Sequence, residues 1–356
     1  MDKKILHLCN SSPITRSYID FINENFEKEN HFFVVFPTSF IYDYPDNCLV
    51  ITRKNAKFNY LKVLLLSNRA SKIILHGFFY NRFITRLLTI SPWNIKKCYW
   101  IIWGADLYDD INQVGYTKTL RYKSFFFFKK LIIKKIKKVC TLTKEETTIY
   151  LNFFNYTPQF FEIQYINPLT QHMLDNSKKQ CPKTIRILIG NSATATNLHL
   201  EILNTLTKFS SLDIQLFVPL SYGDMDYANQ VIEAGSRLFN DKFIPITNFL
   251  EPEDYANLIA NIDIAIFNNK EQQGLGNIYA LLYLEKKVYI RSDSPIWSSL
   301  HSQNFKMYDT LHLKSEQTES LLKKELLLLE KNRKIAYNNF FDKTILANYW
   351  SKVFND

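Results

Sequence analysis

The sequence lacks any apolar run long enough to span a bilayer, and it lacks paired cysteines. No stretch of the 356 residues approaches the roughly 20 uninterrupted apolar residues of a transmembrane helix, so we expect no integral membrane protein. The apolar run near the amino terminus is too short for a signal peptide. The five cysteines are scattered and form no C-x-x-C pair, which argues against a disulfide framework or a zinc site and favours a reducing cytoplasm.

Length and periodicity predict the domain organisation. A chain of 356 residues with 46% hydrophobic residues is long enough to form two cores. Strands alternate with helices along both halves, which predicts the α/β class with two doubly wound, Rossmann-like parallel sheets. Residues 166–183 are polar, aperiodic and hold two prolines, so they are predicted to be a linker. We expect a first domain over 1–165, a second over 184–335, and a helical segment over 336–356 that returns toward the first.

Charge is distributed unevenly along the chain. Residues 1–183 carry 27 Lys and Arg against 14 Asp and Glu, whereas residues 184–356 carry 17 against 20. Because the whole basic excess lies in the first half, we expect an anionic partner for that half alone.

The densest basic segment is KTLRYKSFFFFKKLIIKKIKK (118–138), with nine Lys or Arg and no acid. On a helix, four apolar residues would share one face: Phe125, Phe128, Ile132 and Ile136. Such a pattern is typical of a helix that lies on anionic lipid. It makes six residues candidates for membrane contact: Phe125, Phe128, Lys129, Lys130, Lys134 and Lys135. A core helix with a solvated lysine face and a nucleic-acid-binding helix are the alternatives; we favour the membrane surface and expect no nucleic acid as partner.

Three apolar strands end in polar residues. The strand in YWIIWGADLY (99–108) runs into Asp106, and two later strands lead to Gly190-Asn191-Ser192 and to residues 271–277. Ligands bind at this edge of open α/β sheets, so polar ends in both halves suggest a cleft between two domains. The alternative at Asp106 is an ordinary turn in which the carboxylate caps the next helix.

Four blocks, IWGADLY (102–108), LRYK (120–123), ILIGNS (187–192) and QQGLG (272–276), carry a family resemblance. In order and spacing they resemble the bacterial 4-acetamido-4,6-dideoxygalactose (Fuc4NAc) transferases, a 4-α-L-fucosyltransferase-like family of enterobacterial common antigen synthesis. The resemblance is specific for the family and not for the sugar. It implies the GT-B architecture, in which two Rossmann-like domains face a central cleft, the second holding the donor and the first the acceptor.

Candidate donor-binding residues follow the strands of the second half. After Gly190, a helix amino terminus with free N–H groups suits a pyrophosphate, with a plain Ser/Thr-capped helix as the alternative. In the 271–277 loop, glycines let backbone N–H groups approach a ligand, and glutamine amides suit sugar hydroxyl or acetamido groups; a solvated glycine-rich loop is the alternative. Tyr279 stands where GT-B enzymes commonly have a second acid. The donor candidates are Gly190, Asn191, Ser192, Thr194, Tyr222, Gln272, Gln273, Gly274, Gly276 and Asn277.

Asp106 and His76 are the candidate catalytic groups of the first half. An imidazole ordinarily titrates near neutrality, so His76 would accept the proton of the acceptor hydroxyl, while Asp106 would do the same or orient His76. A satisfied buried histidine is the alternative. Tyr108, Arg121 and Lys123 are candidates for contacts with an acceptor diphosphate or acidic sugar, with solvated surface residues as the alternative.

Asp224-Met225-Asp226 imitates the Asp-x-Asp metal motif of GT-A transferases but lies at a helix start in the second half. We interpret it as helix capping and predict neither a metal nor another cofactor.

These features predict a metal-independent glycosyltransferase bound peripherally at the cytoplasmic face of the inner membrane. It would move a deoxy-amino hexose such as Fuc4NAc, or fucose, from a dTDP- or GDP-linked donor to a polyprenyl-diphosphate-linked saccharide in O-antigen or enterobacterial common antigen synthesis. A nucleotide-sugar epimerase on the same fold and a non-catalytic lipid- or polyanion-binding protein are the alternatives.

Overall fold

The computed structural model describes residues 4–38, 42–112, 119–178, 183–323 and 325–356. Strands β1–β7 are Ile5–Asn10, His31–Phe36, Cys48–Val50, Lys72–His76, Cys98–Ile101, Lys138–Thr141 and Gln159–Glu162. Strands β8–β13 are Ile185–Ile189, Ile214–Pro219, Phe243–Ile246, Ile264–Phe267, Lys287–Ile290 and Tyr308–Asp309. Helices α1–α6 are Pro13–Asn25, Ala56–Arg69, Arg82–Ile90, Ala105–Ile111, Leu120–Ile133 and Lys144–Phe154. Helices α7–α15 are Gln171–Asp175, His199–Leu206, Met225–Phe239, Pro252–Ala260, Leu275–Tyr283, Pro295–Ser302, Thr318–Leu322, Leu326–Ala336 and Lys343–Asn355.

The chain divides into two units. The first unit comprises Met1–Ile166 together with Lys343–Asp356, and the second comprises Asn167–Asp342. The segment predicted as a linker differs from that prediction because it contains α7, and its Leu169 and Leu174 are buried in the core of the second unit. Residues 179–182 of that segment, which include Cys181, lie outside the described residues.

Each unit is built on a parallel sheet with the strand order of the Rossmann fold. The order is β3-β2-β1-β4-β5-β6-β7 in the first unit and β10-β9-β8-β11-β12-β13 in the second. The predicted α/β class with two Rossmann-like sheets is therefore confirmed. In each sheet the direction of strand addition reverses once, between β1 and β4 and between β8 and β11. Ligands of such folds bind outside the carboxyl ends of the strands at this switch point.

Helices cover both faces of the first sheet, as the reversal of strand addition requires for right-handed crossovers. Helices α2, α3, α5 and α6 pack on one face, and α1 and α15 pack on the other. The central strands are buried from both sides, which explains why they consist of nearly continuous apolar residues. The sheet therefore places the carboxyl ends of β1, β4 and β5 side by side.

Helix α15 completes the second face of the first unit. Its Trp350 is fully buried and donates from Nε1 to the carbonyl oxygen of Gln164 at 2.9 Å. Just beyond the helix, the Asp356 carboxylate accepts from the Tyr99 hydroxyl at 2.7 Å and pairs with Lys138. The bond from Lys138 lowers the pKa of Asp356 to about 2. The segment is thus held both in the core of the first unit and at the amino ends of β5 and β6.

Capping side chains define several helix starts. Ser12 accepts a hydrogen bond from the Thr15 amide at 3.0 Å, with proline at the first helical position. Asp224 accepts from the backbone N–H groups of Asp226 and Tyr227 at the start of α9. The Asp-x-Asp motif is therefore a helix cap, as interpreted from the sequence.

A chain of three buried histidines crosses the core of the first unit. His7 Nδ1 lies 3.0 Å from His76 Nε2, and His7 Nε2 lies 2.9 Å from His31 Nδ1. Burial lowers the pKa of His76 to about 3 and that of His31 to about 4, and it places the pKa of His7 well below its ordinary value. All three rings are therefore neutral at pH 7.

Acid should destabilise the first unit through these histidines. Their folded-state pKa values lie below the ordinary 6.5, so below that pH the unfolded chain binds more protons than the folded one. The stability present above pH 6.5 is then lost as the pH falls toward about 4, by roughly 1.4 kcal/mol per histidine and pH unit. Buried Glu146 opposes this trend because its pKa is raised to about 8. The histidine contribution is therefore measured as a difference between the parent chain and a histidine variant, both of which keep Glu146.

His31→Gln should lose less of its urea midpoint than the parent chain between about pH 7.5 and about pH 5.5. Tryptophan fluorescence suits the measurement because four of the five tryptophans belong to the first unit. His172→Gln, at an exposed position of the second unit, should follow the parent chain. The same pH dependence in all three chains would contradict the prediction.

Candidate functional site

Polar side chains from three strand ends meet at the switch point of the second sheet. Asn269, directly after β11, donates from Nδ2 to the Asn191 side-chain oxygen at 3.2 Å. Asn191 follows β8 and donates from its own Nδ2 to the Tyr222 hydroxyl at 3.2 Å, beyond the end of β9. The structure thus brings together two of the predicted donor residues, Asn191 and Tyr222, with a third residue that sequence reasoning missed.

Two glycines shape this edge. Gly190 has a φ of +69°, and a Cβ built on it would lie 2.4 Å from His199 Nε2, so neither its backbone nor its surroundings admit a side chain. Gly274 has a φ of +67°, and its Cβ would meet the Asn191 side chain at 3.0 Å. The loops after β8 and β11 therefore approach each other so closely at Gly274 that a side chain there would contact Asn191.

Side-chain amides lock the same two loops together. Asn197 donates from Nδ2 to the Gln273 side-chain oxygen at 3.0 Å, and Gln273 in turn donates to the Thr196 hydroxyl. The hydroxyl groups of Ser192 and Thr194 pair with each other at 2.9 Å. Gln273 is therefore a structural clamp in this geometry, and Gln272 beside it is buried.

Three buried polar atoms at this edge have no hydrogen-bond partner among the described residues. They are Asn268 Nδ2, Asn269 Oδ1 and His199 Nε2. Asn268 and Asn269 are each 1% exposed. Because leaving a buried polar atom unpaired costs roughly 1–3 kcal/mol, such atoms at a switch point indicate a place for polar ligand atoms. The signal in the sequence was the Asn-Asn-Lys run directly after an apolar strand.

The electrostatics of the edge suit an anion. Helix α11 begins at Gly274 with no side chain capping its amino terminus, which leaves its N–H groups and positive dipole end available. Lys270 is exposed and forms no ion pair with any residue of the described ranges. Arg291, by contrast, is paired with Asp293 at 2.8 Å and lowers the pKa of that carboxyl group. Lys270 therefore offers a ligand a positive charge that no ion pair within the described residues holds, since Asp293 interacts with it only at longer range.

The other predicted donor residues lie on or beside this edge. Gly276 and Asn277 occupy the first turn of α11. The carbonyl oxygen of Gly276 accepts a hydrogen bond from Asn167 Nδ2 at 2.8 Å, which fixes the position of this first turn. Tyr279, at the position of the expected second acid, is buried with its ring stacked on Phe340, so this position belongs to the core.

In the first unit, Asp106 is fully buried and saturated with hydrogen bonds. Its Oδ2 accepts from the Phe78 amide at 2.8 Å and from Trp100 Nε1 at 2.7 Å. Its Oδ1 accepts from the Trp103 amide at 2.8 Å. The carboxylate thus ties the loops after β4 and β5 to α4. Neither oxygen faces an open surface, so this geometry favours a structural role for the carboxylate, and its role as a proton acceptor stays a prediction.

His76 is also enclosed. Its Nε2 pairs with His7, and its Nδ1 pairs with the Tyr165 hydroxyl, which accepts a further bond from Trp103 Nε1 at 3.0 Å. With both ring nitrogens engaged and a pKa lowered to about 3 by burial, His76 matches the satisfied buried histidine that was the alternative. The structure does not join His76 to Asp106 by a hydrogen bond between their side chains.

The acceptor candidates lie on α4 and α5. Tyr108 is half-buried, while Arg121 and Lys123 are exposed in the first turns of α5. Between those two cations, the Tyr122 ring stacks on Tyr80 with centroids 4.1 Å apart, which joins the start of α5 to the loop after β4. The candidates therefore sit near the carboxyl ends of the first sheet.

Helix α5 does not bury the side that the prediction of an interfacial helix requires. Phe125, predicted to contact lipid, is 3% exposed and packs in the core with Ile132 and Ile136. Lys129 is 1% exposed; it pairs with Asp110 at 2.6 Å and donates to the carbonyl oxygen of Asp106 at 2.7 Å. Of the residues predicted to touch lipid, four remain exposed: Phe128, Lys130, Lys134 and Lys135. Lys118 lies outside the described residues.

The described residues contain no group of three or more His, Cys, Asp or Glu side chains arranged to hold a metal ion. No helix within the described ranges is both long and apolar enough to cross a membrane.

Comparison with known proteins gives a family and a fold. A family model described as 4-alpha-L-fucosyltransferase, glycosyl transferase group 56, matches residues 4–355. A glycosyltransferase from Rickettsia africae is 14% identical, with a TM-score of 0.67 and coverage of 100% of this chain and 98% of that one. Sucrose-phosphate synthase from Thermosynechococcus elongatus is 10% identical, with a TM-score of 0.70 and coverage of 99% and 98%. Alr3699/HepE from Anabaena, solved in complex with UDP, is 10% identical, with a TM-score of 0.67 and coverage of 99% and 100%. Identities this low establish the fold alone, which is the GT-B type with two Rossmann-like units.

Asp106→Asn should destabilise the first unit by roughly 2–4 kcal/mol, because the amide nitrogen would face a buried N–H donor and the charge-assisted bonds would be lost. Thermal unfolding followed by tryptophan fluorescence measures this, with exposed Asp43→Asn as the matched control. Calorimetric affinity for a nucleoside diphosphate should be unchanged in both variants. An Asp106→Asn chain with the parent melting temperature would contradict the assigned role.

Proposed function

The chain belongs to the 4-alpha-L-fucosyltransferase family, glycosyl transferase group 56, and from that membership we propose a specific transfer. The protein moves a deoxy-amino hexose such as Fuc4NAc, or fucose, from a dTDP- or GDP-linked donor to a polyprenyl-diphosphate-linked saccharide. The reaction serves O-antigen or enterobacterial common antigen synthesis, it requires no metal, and it takes place at the cytoplasmic face of the inner membrane.

One observation carries the donor side of this proposal. Asn268 and Asn269 present unpaired, buried polar atoms at the switch point of the second sheet, beside the uncapped start of α11. Hydrogen-bonding side chains suit the sugar and ribose hydroxyl groups, while the helix start and Lys270 suit the diphosphate. That Alr3699/HepE of Anabaena was solved with UDP supports a nucleotide donor for a chain of this fold.

The chemistry assigned to the donor site is stabilisation of a leaving group. In the transfer, the bond between the anomeric carbon and the diphosphate oxygen breaks, and a bond to the acceptor hydroxyl oxygen forms. The nucleoside diphosphate departs with the bonding electrons, and the proton of the acceptor hydroxyl passes to solvent water. Negative charge therefore grows on the diphosphate, where the N–H groups of α11 and the Lys270 ammonium stabilise it.

In the first unit we assign Asp106 and His76 to positioning rather than to proton transfer. Asp106 holds the Phe78 and Trp103 amides, and His76 holds Tyr165, so each fixes a loop at the carboxyl edge of the first sheet. Their loss would displace the surface on which the acceptor lies.

Arg121 and Lys123 are the groups we assign to the acceptor diphosphate. Both lie near the start of α5, where no acid occupies the first turn and no side chain caps the helix. Cations at this end of a helix oppose its dipole, and a bound anion would offset that cost. Their placement beside the loop after β4 supports contact with the substrate.

A nucleoside diphosphate should bind the full chain in the presence of EDTA, and Lys270→Gln should weaken that binding about tenfold, the loss of one charge-assisted hydrogen bond. Isothermal titration with dTDP, GDP and UDP measures both statements and ranks the bases. Lys331→Gln, an exposed lysine of α14, is the matched control. Binding that requires added Mg²⁺, or an unaffected Lys270→Gln chain, would sink the assignment.

Arg121→Gln with Lys123→Gln should raise the KM for a polyprenyl-diphosphate-linked acceptor at least tenfold, because two charged contacts to its diphosphate are lost. The calorimetric affinity for nucleoside diphosphate should stay at the parent value. Lys331→Gln with Lys334→Gln, two exposed lysines of α14, removes the same number of charges and controls for the change in net charge. A parent-like KM in the double variant would remove these residues from the acceptor site.

A further inference from the structure

Three of the helices over one face of the first sheet, α2, α3 and α5, contain no acidic residue, whereas α6 on the same face carries Glu145 and Glu146. Residues 47–105, which supply α2 and α3, contain no Asp or Glu, and α5 contains none either. The same 59-residue stretch carries ten cations: Arg53, Lys54, Lys57, Lys62, Arg69, Lys72, Arg82, Arg86, Lys96 and Lys97. A solvated helix surface ordinarily mixes both signs of charge, so the layer formed by α2, α3 and α5 presents an unusual, purely cationic side.

The outward side of the layer is also apolar. On α2, Phe58, Leu61 and Leu65 follow one another at helical spacing and are exposed, with Phe58 at 87%. On α5, Phe127 and Leu131 are exposed in the same way. The inward residues of these helices fill the core of the first unit, so the exposed set is additional to the folding pattern.

A groove between α3 and α5 combines both properties. Arg82 and Arg86 line it, four residues apart on α3 and hence on one side of that helix. Ser124 and Phe128 line it from α5. Neither arginine forms an ion pair with a residue in the described part of the chain. The groove offers two guanidinium groups beside an aromatic wall.

We propose that the outer side of α2, α3 and α5 docks on an anionic phospholipid bilayer, with the α3–α5 groove taking a lipid phosphate. Guanidinium groups bind phosphate through paired N–H donors, while Phe58, Leu61 and Phe127 enter the interface between headgroups and acyl chains. The absence of acids from residues 47–105 removes the repulsion that an anionic surface would otherwise meet.

This docking surface rests on the proposed function only in that the acceptor is membrane-bound, and it refines the prediction made from residues 118–138. The sequence pattern assigned Phe125 and Lys129 to lipid, whereas both are core residues. The proposed surface instead spans α2, α3 and α5, and the predicted segment 118–138 includes only the last of these helices.

Flotation of the full chain with phosphatidylglycerol–phosphatidylcholine vesicles tests the proposal without donor or acceptor. Arg82→Gln with Arg86→Gln should weaken partition on the order of 30-fold at low salt, at about fivefold per basic residue, and should change nothing on pure phosphatidylcholine. Phe58→Ser with Leu61→Ser should weaken binding to both kinds of vesicle. Because all four side chains are exposed, melting temperatures should stay at the parent value.

Controls of equal chemistry come from α14 of the second unit. Lys331→Gln with Lys334→Gln makes the same change in net charge, and Leu327→Ser removes an equally exposed apolar residue. Both should float as the parent chain does. Turnover on a short, water-soluble acceptor should survive the docking variants, so loss of docking and failure of the glycosyl transfer are read separately.

Four outcomes would overturn the proposal. The parent chain fails to float with phosphatidylglycerol vesicles; the arginine variant floats as well as its α14 control; or light scattering shows that Phe58→Ser with Leu61→Ser converts a dimer to a monomer with flotation unchanged. The last result would assign the surface to a second copy of the chain. Preferential binding of a single-stranded oligonucleotide, lost in the arginine variant, would equally replace the lipid.

Discussion

Two buried charged side chains, Asp106 and Lys129, are the constraint on which the first unit depends. The carboxylate holds three N–H donors from two loops and a tryptophan ring, and the lysine amine bonds the backbone of the same residue and the side chain of Asp110. Buried charges are tolerated only when their hydrogen-bonding capacity is filled, so these elements must assemble together. The position of α5, and with it the cationic layer, follows from where Lys129 is held.

The second unit solves a similar problem with neutral groups. Hydrogen bonds of side-chain amides connect the strand ends, and they can exchange partners without leaving a buried charge unpaired. The amides belong to Asn191, Asn197, Asn269 and Gln273. The network is incomplete, since Asn268 and Asn269 keep unpaired atoms, whereas buried N–H donors occupy both carboxylate oxygens of Asp106 and close the network around that group. A closed network suits the support of a surface, and an open one suits the reception of hydroxyl groups and phosphate oxygens.

The sequence predicted what depends on local pattern and failed where distant residues decide. Central strands were recognisable because burial on both faces demands continuous apolar residues. The edge strands β7 and β13 were missed, because their side chains are only partly buried and carry no such run. The Lys-, Glu- and Leu-rich sequence of 318–341 favours one long helix, whereas the structure ends α13 at Leu322 and α14 at Ala336, where hydrogen bonding changes to a π-helical turn.

The site residues show the same division. The strand-end loops around Asn191 and Gly274 were found because their polar residues and glycines follow apolar strands directly. The burial and hydrogen bonding of His76 could not be predicted, since its partners His7 and Tyr165 lie 69 and 89 residues away in the sequence. Nor could the sequence orient α5, because four consecutive phenylalanines give apolar residues on every side of the helix.

Helix α15 has a consequence for how the protein is made. The second unit is one continuous segment, Asn167–Asp342, and can fold as soon as it has left the ribosome. The first unit cannot, because Trp350 and its neighbours close a face that includes Tyr18 and His7, and they are synthesised after the whole second unit. While the second unit is being synthesised, the nascent chain therefore carries a first unit whose aromatic face is open, and chaperones would meet it in that state.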